Sequence, residues 1–197
     1  FQCNSTKLQK IILETFNQIN NKKCQYLQSY NSLSFVSFHS RFNPTFSMKY
    51  ISSTNLEILL QNPNFKNEWK LNDALNCLFA VAKSLSYLHD NLIFHGNLNP
   101  SNIIVDEAKQ CYVCDFGLYP IKKLYIMSSD MTNNDYKDPM MISNDPVAKN
   151  DVYSFGILMF KILYIFLSTS NNENDQKIDI KFEQTKLKNL PNFYSEL

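Results

Sequence analysis

Apolar positions in this chain fall into helical and strand rhythms that can be read segment by segment. Between Ser5 and Asn20, the residues Leu8, Ile11, Ile12, Thr15, Phe16 and Ile19 recur at three and four behind a Ser5-Thr6 start suited to capping, which predicts an amphipathic helix. The same spacing links Leu71, Leu75, Leu78, Phe79, Ala82, Leu85 and Leu88, with no proline or glycine before Asp90, and predicts a long uninterrupted helix. Asn55 to Gln61 reads as a short helix closed before Pro63. Asp151 to Leu167 is apolar nearly all round, the pattern of a helix buried in the middle of a domain.

Ser34 to Phe38 and Thr45 to Ile51 are rich in β-branched and aromatic residues and are separated by Asn43-Pro44, which predicts two antiparallel strands. Ile103 to Val105 and Tyr112 to Cys114 read as two small strands. The stretch from Tyr119 to Pro146 has weak periodicity and a polar centre, so it is expected to be a long exposed loop. Ser168 to Asp179 is polar and asparagine-rich and is expected to be a mobile connection, with order returning around Leu187 to Leu197.

Composition narrows the function classes. With 44% apolar and 14% aromatic residues the chain is globular in make-up, and a formal net charge of +1 supplies no field that would attract nucleic acid. The most apolar run, Ile157 to Leu167, carries Lys161 and is about half the roughly twenty residues of a membrane span. No nucleic-acid or membrane partner is therefore expected. The residues Phe1 to Lys10 lack the charged head and apolar run of a secretory signal, so a cytoplasmic location is expected. Five cysteines, Cys3, Cys24, Cys77, Cys111 and Cys114, form no disulfide framework, and the Cys111/Cys114 pair lacks the second pair that a zinc site needs. Of the three glycines, Gly96, Gly117 and Gly156, none precedes position 96, so a glycine-rich phosphate loop has no place here.

The run His95-Gly96-Asn97-Leu98-Asn99-Pro100-Ser101-Asn102, between the long helix and a small strand, resembles the H-R-D-L-K-P-x-N catalytic loop of protein kinases. Thirteen residues beyond Asn102, Asp115-Phe116-Gly117 is similar to the D-F-G metal-binding motif. Tyr136-Lys137-Asp138-Pro139-Met140 looks like a degraded Y-x-A-P-E segment, and Asp151-Val152-Tyr153-Ser154-Phe155-Gly156 resembles the start of the central helix of the large lobe. Phe46-Ser47-Met48-Lys49-Tyr50-Ile51 is similar to the strand and hinge that often read L-V-M-E-Y. The wording of the central helix leans toward the tyrosine-kinase-like and tyrosine-kinase branches.

This resemblance runs over roughly Thr6 to Leu197 and implies an α+β, protein-kinase-like fold. Residues 1–52 would be a partial small lobe of helix C, two or more strands and the hinge. Residues 53–197 would be a mostly helical large lobe lacking its last helices. The first three small-lobe strands, with the phosphate-holding lysine, have no counterpart. Met48 at the gatekeeper position, Lys49, Ile51, Ile104 and Asp115 would line a nucleotide site, and Asn102 and Asp115 would hold magnesium. His95, Phe116, Gly117 and Asp151 would be architectural, with Asp151 holding the catalytic-loop backbone. Ile12 stands where helix C carries its glutamate and Phe16 would pack toward Phe116, leaving Glu14 as an exposed charge.

What is replaced bears on catalysis. Asn97 occupies the position of the catalytic aspartate and Asn99 that of the catalytic-loop lysine. An amide can orient a hydroxyl, but it is neither a base nor an anion, and losing positioned acid–base help costs about 10² to 10⁴ in rate. Gly96 replaces the arginine that reads a phosphate on the activation loop, where Tyr125, Ser128, Ser129 and Thr132 lie, and Met140 replaces the acid that anchors the loop's end, so that segment is expected to be mobile. The resemblance thus implies a pseudokinase acting as a protein-binding or regulatory scaffold, with other proteins, an active kinase among them, as partners. ATP and magnesium binding would be weak or absent. The alternatives are a fragment of an active ATP-dependent serine/threonine or tyrosine kinase, and a decayed sequence that does not fold stably. Oligomeric state stays open.

Overall fold

The fold is described from a computed structural model, in which residues 5–20, 23–38, 41–121, 134–139 and 147–167 are placed. Helix α1 spans Ser5–Asn20, strands β1 and β2 span Tyr30–Phe38 and Arg41–Met48, and β3 spans Ser53–Asn55. Helices α2 (Leu56–Gln61), α3 (Phe65–Glu68) and α4 (Leu71–Asp90) follow, then β4 (Ile103–Asp106), β5 (Cys111–Val113) and helix α5 (Ala148–Leu167). The arrangement is the mixed α+β one that the resemblance implied.

Helix α1 buries Ile12, Thr15 and Ile19 and sets Phe16 against Phe46, ring centroids 6.0 Å apart. Phe46 belongs to the β1–β2 hairpin, where Leu33 faces Phe46 and Phe35 faces Pro44. The expected break at Asn43-Pro44 is not a turn: both residues lie inside β2, which starts at Arg41 and ends before Lys49. Proline gives no N–H to a ladder, but a two-stranded sheet has an outer edge on which that loss is harmless.

Between α1 and β1 the chain dips to the second sheet. Leu27 bridges Val113 in parallel, Gln28 N–H donates to the Val113 carbonyl at 2.9 Å, and Val113 N–H donates to the Tyr26 carbonyl at 2.8 Å. Ser84 on α4 also donates to that Tyr26 carbonyl, at 2.9 Å. The second sheet is antiparallel in the order β3-β4-β5, and alternation along it buries Ile103, Val105, Cys111 and Val113. Strand β5 starts at Cys111 and leaves Cys114 outside, one residue earlier than the sequence suggests.

Helix α4 matches its expected span, but its buried face is Ala74, Cys77, Leu78, Val81, Ser84, Leu85 and Leu88, so Leu71, Leu75 and Phe79 fall on the solvent side. Its end is closed by Leu92, which takes φ 57° as Leu92 N–H reaches the His89 carbonyl and Ile93 N–H the Leu88 carbonyl, both at 2.9 Å. Helix α5 starts three residues before Asp151 and buries Asp151, Ser154, Ile157, Leu158 and Ile162. It is not enclosed on all sides, since Val152, Met159, Phe160 and Tyr164 are exposed.

Within the expected exposed loop, the described residues 134–139 are anchored at Tyr136. A 3₁₀ turn at Asn134–Tyr136 buries Tyr136; Lys161 Nζ donates to its hydroxyl at 2.7 Å and sits 4.1 Å from its ring centroid, and Ser154 Oγ donates to its carbonyl at 2.8 Å. Burial holds the Lys161 ammonium below the ordinary lysine range and pushes the Tyr136 phenol up. Met140, Tyr125, Ser128, Ser129, Thr132 and the tail from Ser168 lie outside the described residues. Among the described residues, no helix is long and apolar enough to cross a membrane, and no group of three or more His, Cys, Asp or Glu is placed to hold a metal ion. Cys24, Cys77, Cys111 and Cys114 are not joined in disulfides.

Candidate functional site

The loop from His95 to Asn102 hangs from one carboxylate. Asp151, 1% exposed at the start of α5, accepts from His95 N–H and Gly96 N–H at 2.8 Å each and from His89 Nε2 at 2.9 Å. Backbone donors that would otherwise be buried without partners are satisfied from below, and α4, the loop and α5 are joined at a single side chain. His95 and Leu98 point into the core.

Within the loop the three asparagines satisfy one another. Asn99, 6% exposed, turns inward: its Oδ1 accepts from Ser101 N–H at 2.9 Å, capping the 3₁₀ turn Pro100–Asn102, and its Nδ2 donates to the Asn97 carbonyl at 2.9 Å. Asn102 Nδ2 donates to the same carbonyl at 2.8 Å. Asn99 therefore serves the loop's own conformation, and its neutral amide brings no positive charge to the position of the lysine. Asn97 is half-buried, with Oδ1 3.4 Å from Asn99 Nδ2.

The second motif lies beside the first. Cys114 N–H donates to the Asn102 carbonyl at 3.0 Å, which sets Asp115 next to Asn102. Asp115 takes the left-handed φ of 62°, uncommon for a residue with a Cβ and a mark of a constrained site. Gly117 follows at φ 69°, where a Cβ would sit 2.6 Å from Ile19 Cγ2 of α1, so glycine is required by both conformation and space. Magnesium takes oxygen ligands, and with the Asn102 nitrogen committed to the Asn97 carbonyl, the donors that fit such an ion are Asn102 Oδ1 and the Asp115 carboxylate.

Phe116 is fully buried, and the ring that meets it is Tyr30, 5.4 Å away, not Phe16. Phe16 touches Phe46, and Phe46 touches Tyr30 at 5.5 Å, so the column runs Phe16, Phe46, Tyr30, Phe116. Ile12 is buried, and Glu14 is an exposed charge beside Lys10 at 3.8 Å. Burial, then the nearby Asp115 carboxylate, pushes the Tyr30 phenol up. Sequence reasoning missed Tyr30 because the stretch before Ser34 has neither a helical nor an alternating rhythm.

On the hinge side, Met48 and Ile51 are half-buried and Lys49 is exposed, while Ile104 is half-buried on the face of β4 opposite Ile103 and Val105. The buried Gln28 side chain, also missed, donates its Nε2 to the Lys49 carbonyl. That carbonyl therefore already has one donor from the protein itself.

The family model described as protein tyrosine and serine/threonine kinase matches residues 9–197. A putative serine/threonine-protein kinase/receptor of Acanthamoeba polyphaga mimivirus is 34% identical over 118 residues, 58% of this chain and 7% of that protein. A serine/threonine-protein kinase of Arabidopsis thaliana is 30% identical over 119 residues, 58% of this chain and 14% of the relative. A probable inactive serine/threonine-protein kinase of Dictyostelium discoideum is 30% identical over 145 residues, 66% of this chain and 12% of the relative. The matched stretches thus span only a small part of each relative. With the loop, the D-F-G turn and the Asp151 anchor arranged in one site and nearly the whole chain matched, this protein belongs to the protein tyrosine and serine/threonine kinase family.

Proposed function

We propose that this chain is a catalytically silent kinase domain that works as a protein-binding or regulatory scaffold and retains, at most, weak magnesium-nucleotide binding. The observation that carries the reading is the asparagine loop: Asn97 offers no base, and Asn99 is spent on capping its own 3₁₀ turn. The two positions that would take the substrate proton and steady the transferring charge are thus without a base and without a cation. Electrostatic stabilisation is usually the largest catalytic contribution, so its loss together with the base leaves little transfer to measure. The relative described as probably inactive supports the same reading.

Asn102 and Asp115 would hold magnesium through their oxygens, and the ion would supply positive charge against the phosphates of a bound nucleotide. The protein's part would be to orient these ligands: the Asn97 carbonyl fixes the Asn102 amide, and Asp115 is held in a left-handed turn. A second reading, an active kinase of which this is a part, is favoured by the small share of each relative that the chain spans. Melting with and without magnesium and ATP, together with phosphate transfer to a generic protein substrate, separates the two. Transfer well above an Asp115→Ala control refutes the silent reading. A rise in melting temperature without transfer supports nucleotide-gated scaffolding, since ligand at about a hundredfold its Kd adds roughly 2.7 kcal/mol. No shift and no transfer leaves a nucleotide-independent scaffold.

A further inference from the structure

The D-F-G turn has a polar neighbour that neither motif contains. Tyr30 opens β1, where it pairs with Met48 across the hairpin, and it is 2% exposed. Its ring lies between Phe46 at 5.5 Å and Phe116 at 5.4 Å. The apolar body of the tyrosine is thus fully used, but its hydroxyl is not: this buried oxygen finds no hydrogen-bond partner among the described residues. A buried hydroxyl left unmet is destabilising, and phenylalanine would fill the same ring position without that cost. The fold as it stands therefore gains nothing from the oxygen, and such a group points to a partner taken up in another state of the protein.

The surroundings name that partner. The groups that act on the hydroxyl are the Asp115 carboxylate, the Cys114 thiol and the Asp115 backbone N–H. An N–H can serve only the acceptor side of the oxygen, and a thiol sulfur accepts weakly, so the acceptor that suits the phenolic proton is the carboxylate. A carboxylate has two oxygens, enough to give one to a metal ion and the other to a hydroxyl. We propose that Tyr30 is a positioning residue for magnesium: when Asn102 and Asp115 take the ion, the Tyr30 hydroxyl donates to the Asp115 oxygen turned away from it and fixes the orientation of the carboxylate. Carboxylates that hold metals are commonly fixed by such outer hydrogen bonds, and losing one costs about 10- to 100-fold in metal affinity. Tyr30 suits this part because strand pairing and two ring contacts leave its hydroxyl little freedom.

The inference rests on the magnesium-binding part of the proposed function, and the two fail separately. The full chain and its Tyr30→Phe variant are titrated with ATP by isothermal titration calorimetry, once in excess magnesium chloride and once in EDTA, and the melting temperature of each is measured without ligand. Phenylalanine keeps the ring column and removes only the hydroxyl. Tyr30→Phe is therefore expected to melt at or above the wild-type temperature while its affinity for ATP with magnesium falls at least about tenfold. In EDTA the two proteins are expected to behave alike. A merely structural tyrosine would give the opposite pair, a lower melting temperature with an unchanged affinity. Equal affinity of the two proteins for ATP with magnesium, or an equal fall in EDTA, overturns the proposal. So does a lowered melting temperature in Tyr30→Phe, which would show the hydroxyl already bonded in the ligand-free protein. Absence of saturable binding of ATP with magnesium to the wild type also overturns it and leaves the nucleotide-independent scaffold standing, whereas phosphate transfer refutes the silent reading without touching this comparison.

Discussion

Replacing Asp151 by asparagine tests whether one carboxylate holds the loop. Two of its three donors, His89 Nε2 and His95 N–H, share Oδ2, and Gly96 N–H uses Oδ1. An asparagine keeps one oxygen. In its better orientation it retains the pair at the Oδ2 position, loses the Gly96 bond, and sets an NH₂ group against the Gly96 N–H in a site that is 1% exposed. A hydrogen bond to a charged group contributes about 1.5–3 kcal/mol, and a buried donor left unmet costs about 1–3 kcal/mol. The expected loss is thus about 4 kcal/mol, a large fraction of the 5–15 kcal/mol typical of a folded domain. Urea unfolding followed by circular dichroism reads it as a lower midpoint at unchanged slope. A cycle with His89→Ala should show coupling, because the imidazole and the His95 amide share an oxygen. A loss under about 1 kcal/mol, or strict additivity with His89→Ala, would mean that the loop is held by its own asparagines rather than from α5.

Three further outcomes follow from the geometry. Gly117→Ala should cost about 3 kcal/mol, from the left-handed φ and from a Cβ 2.6 Å from Ile19 Cγ2, and a urea midpoint within error of wild type would contradict it. At Leu92, 77% exposed and left-handed at the end of α4, glycine should be more stable than alanine by about 0.5–1 kcal/mol, seen as a melting difference of roughly 2 °C. Lys109 holds the Asp73 carboxyl below the usual carboxylate range, so the pair stabilises the fold above the unfolded value and loses that contribution as pH falls through the lowered folded one. Asp73→Asn should accordingly be less stable than wild type at neutral pH, and the gap should close in acid. A gap that persists at about pH 2 would place its origin elsewhere.

Long periodic segments were legible in the sequence because periodicity is local: the spans of α1 and α4 follow from apolar spacing alone. Which side of α4 faces the core was less so, since Leu71, Leu75 and Phe79 fit a helical stripe as well as the truly buried set does. The motif letters located the loop and the D-F-G turn, but not the fate of Asn99, whose capping depends on where Ser101 N–H points. Pro44 misled because a proline reads as a break when the strand's edge position is not visible from sequence. The anchoring of Tyr136 by Lys161 joins residues 25 positions apart, a contact that no local pattern encodes.

Gln28 has a mechanical consequence. Its backbone N–H is fixed to Val113 of the second sheet, and its side chain holds the Lys49 carbonyl just after β2. The chain therefore passes between the hairpin and the helical part at two places that are fastened to each other at one residue. Separating the segment after β2 from β5 at this point must break either the amide contact of Gln28 to Lys49 or its backbone bond to Val113. A glutamine outside either motif thus ties the segment after β2 to the second sheet, and release of the tie would be visible in hydrogen exchange as loss of protection at Gln28 before Val113.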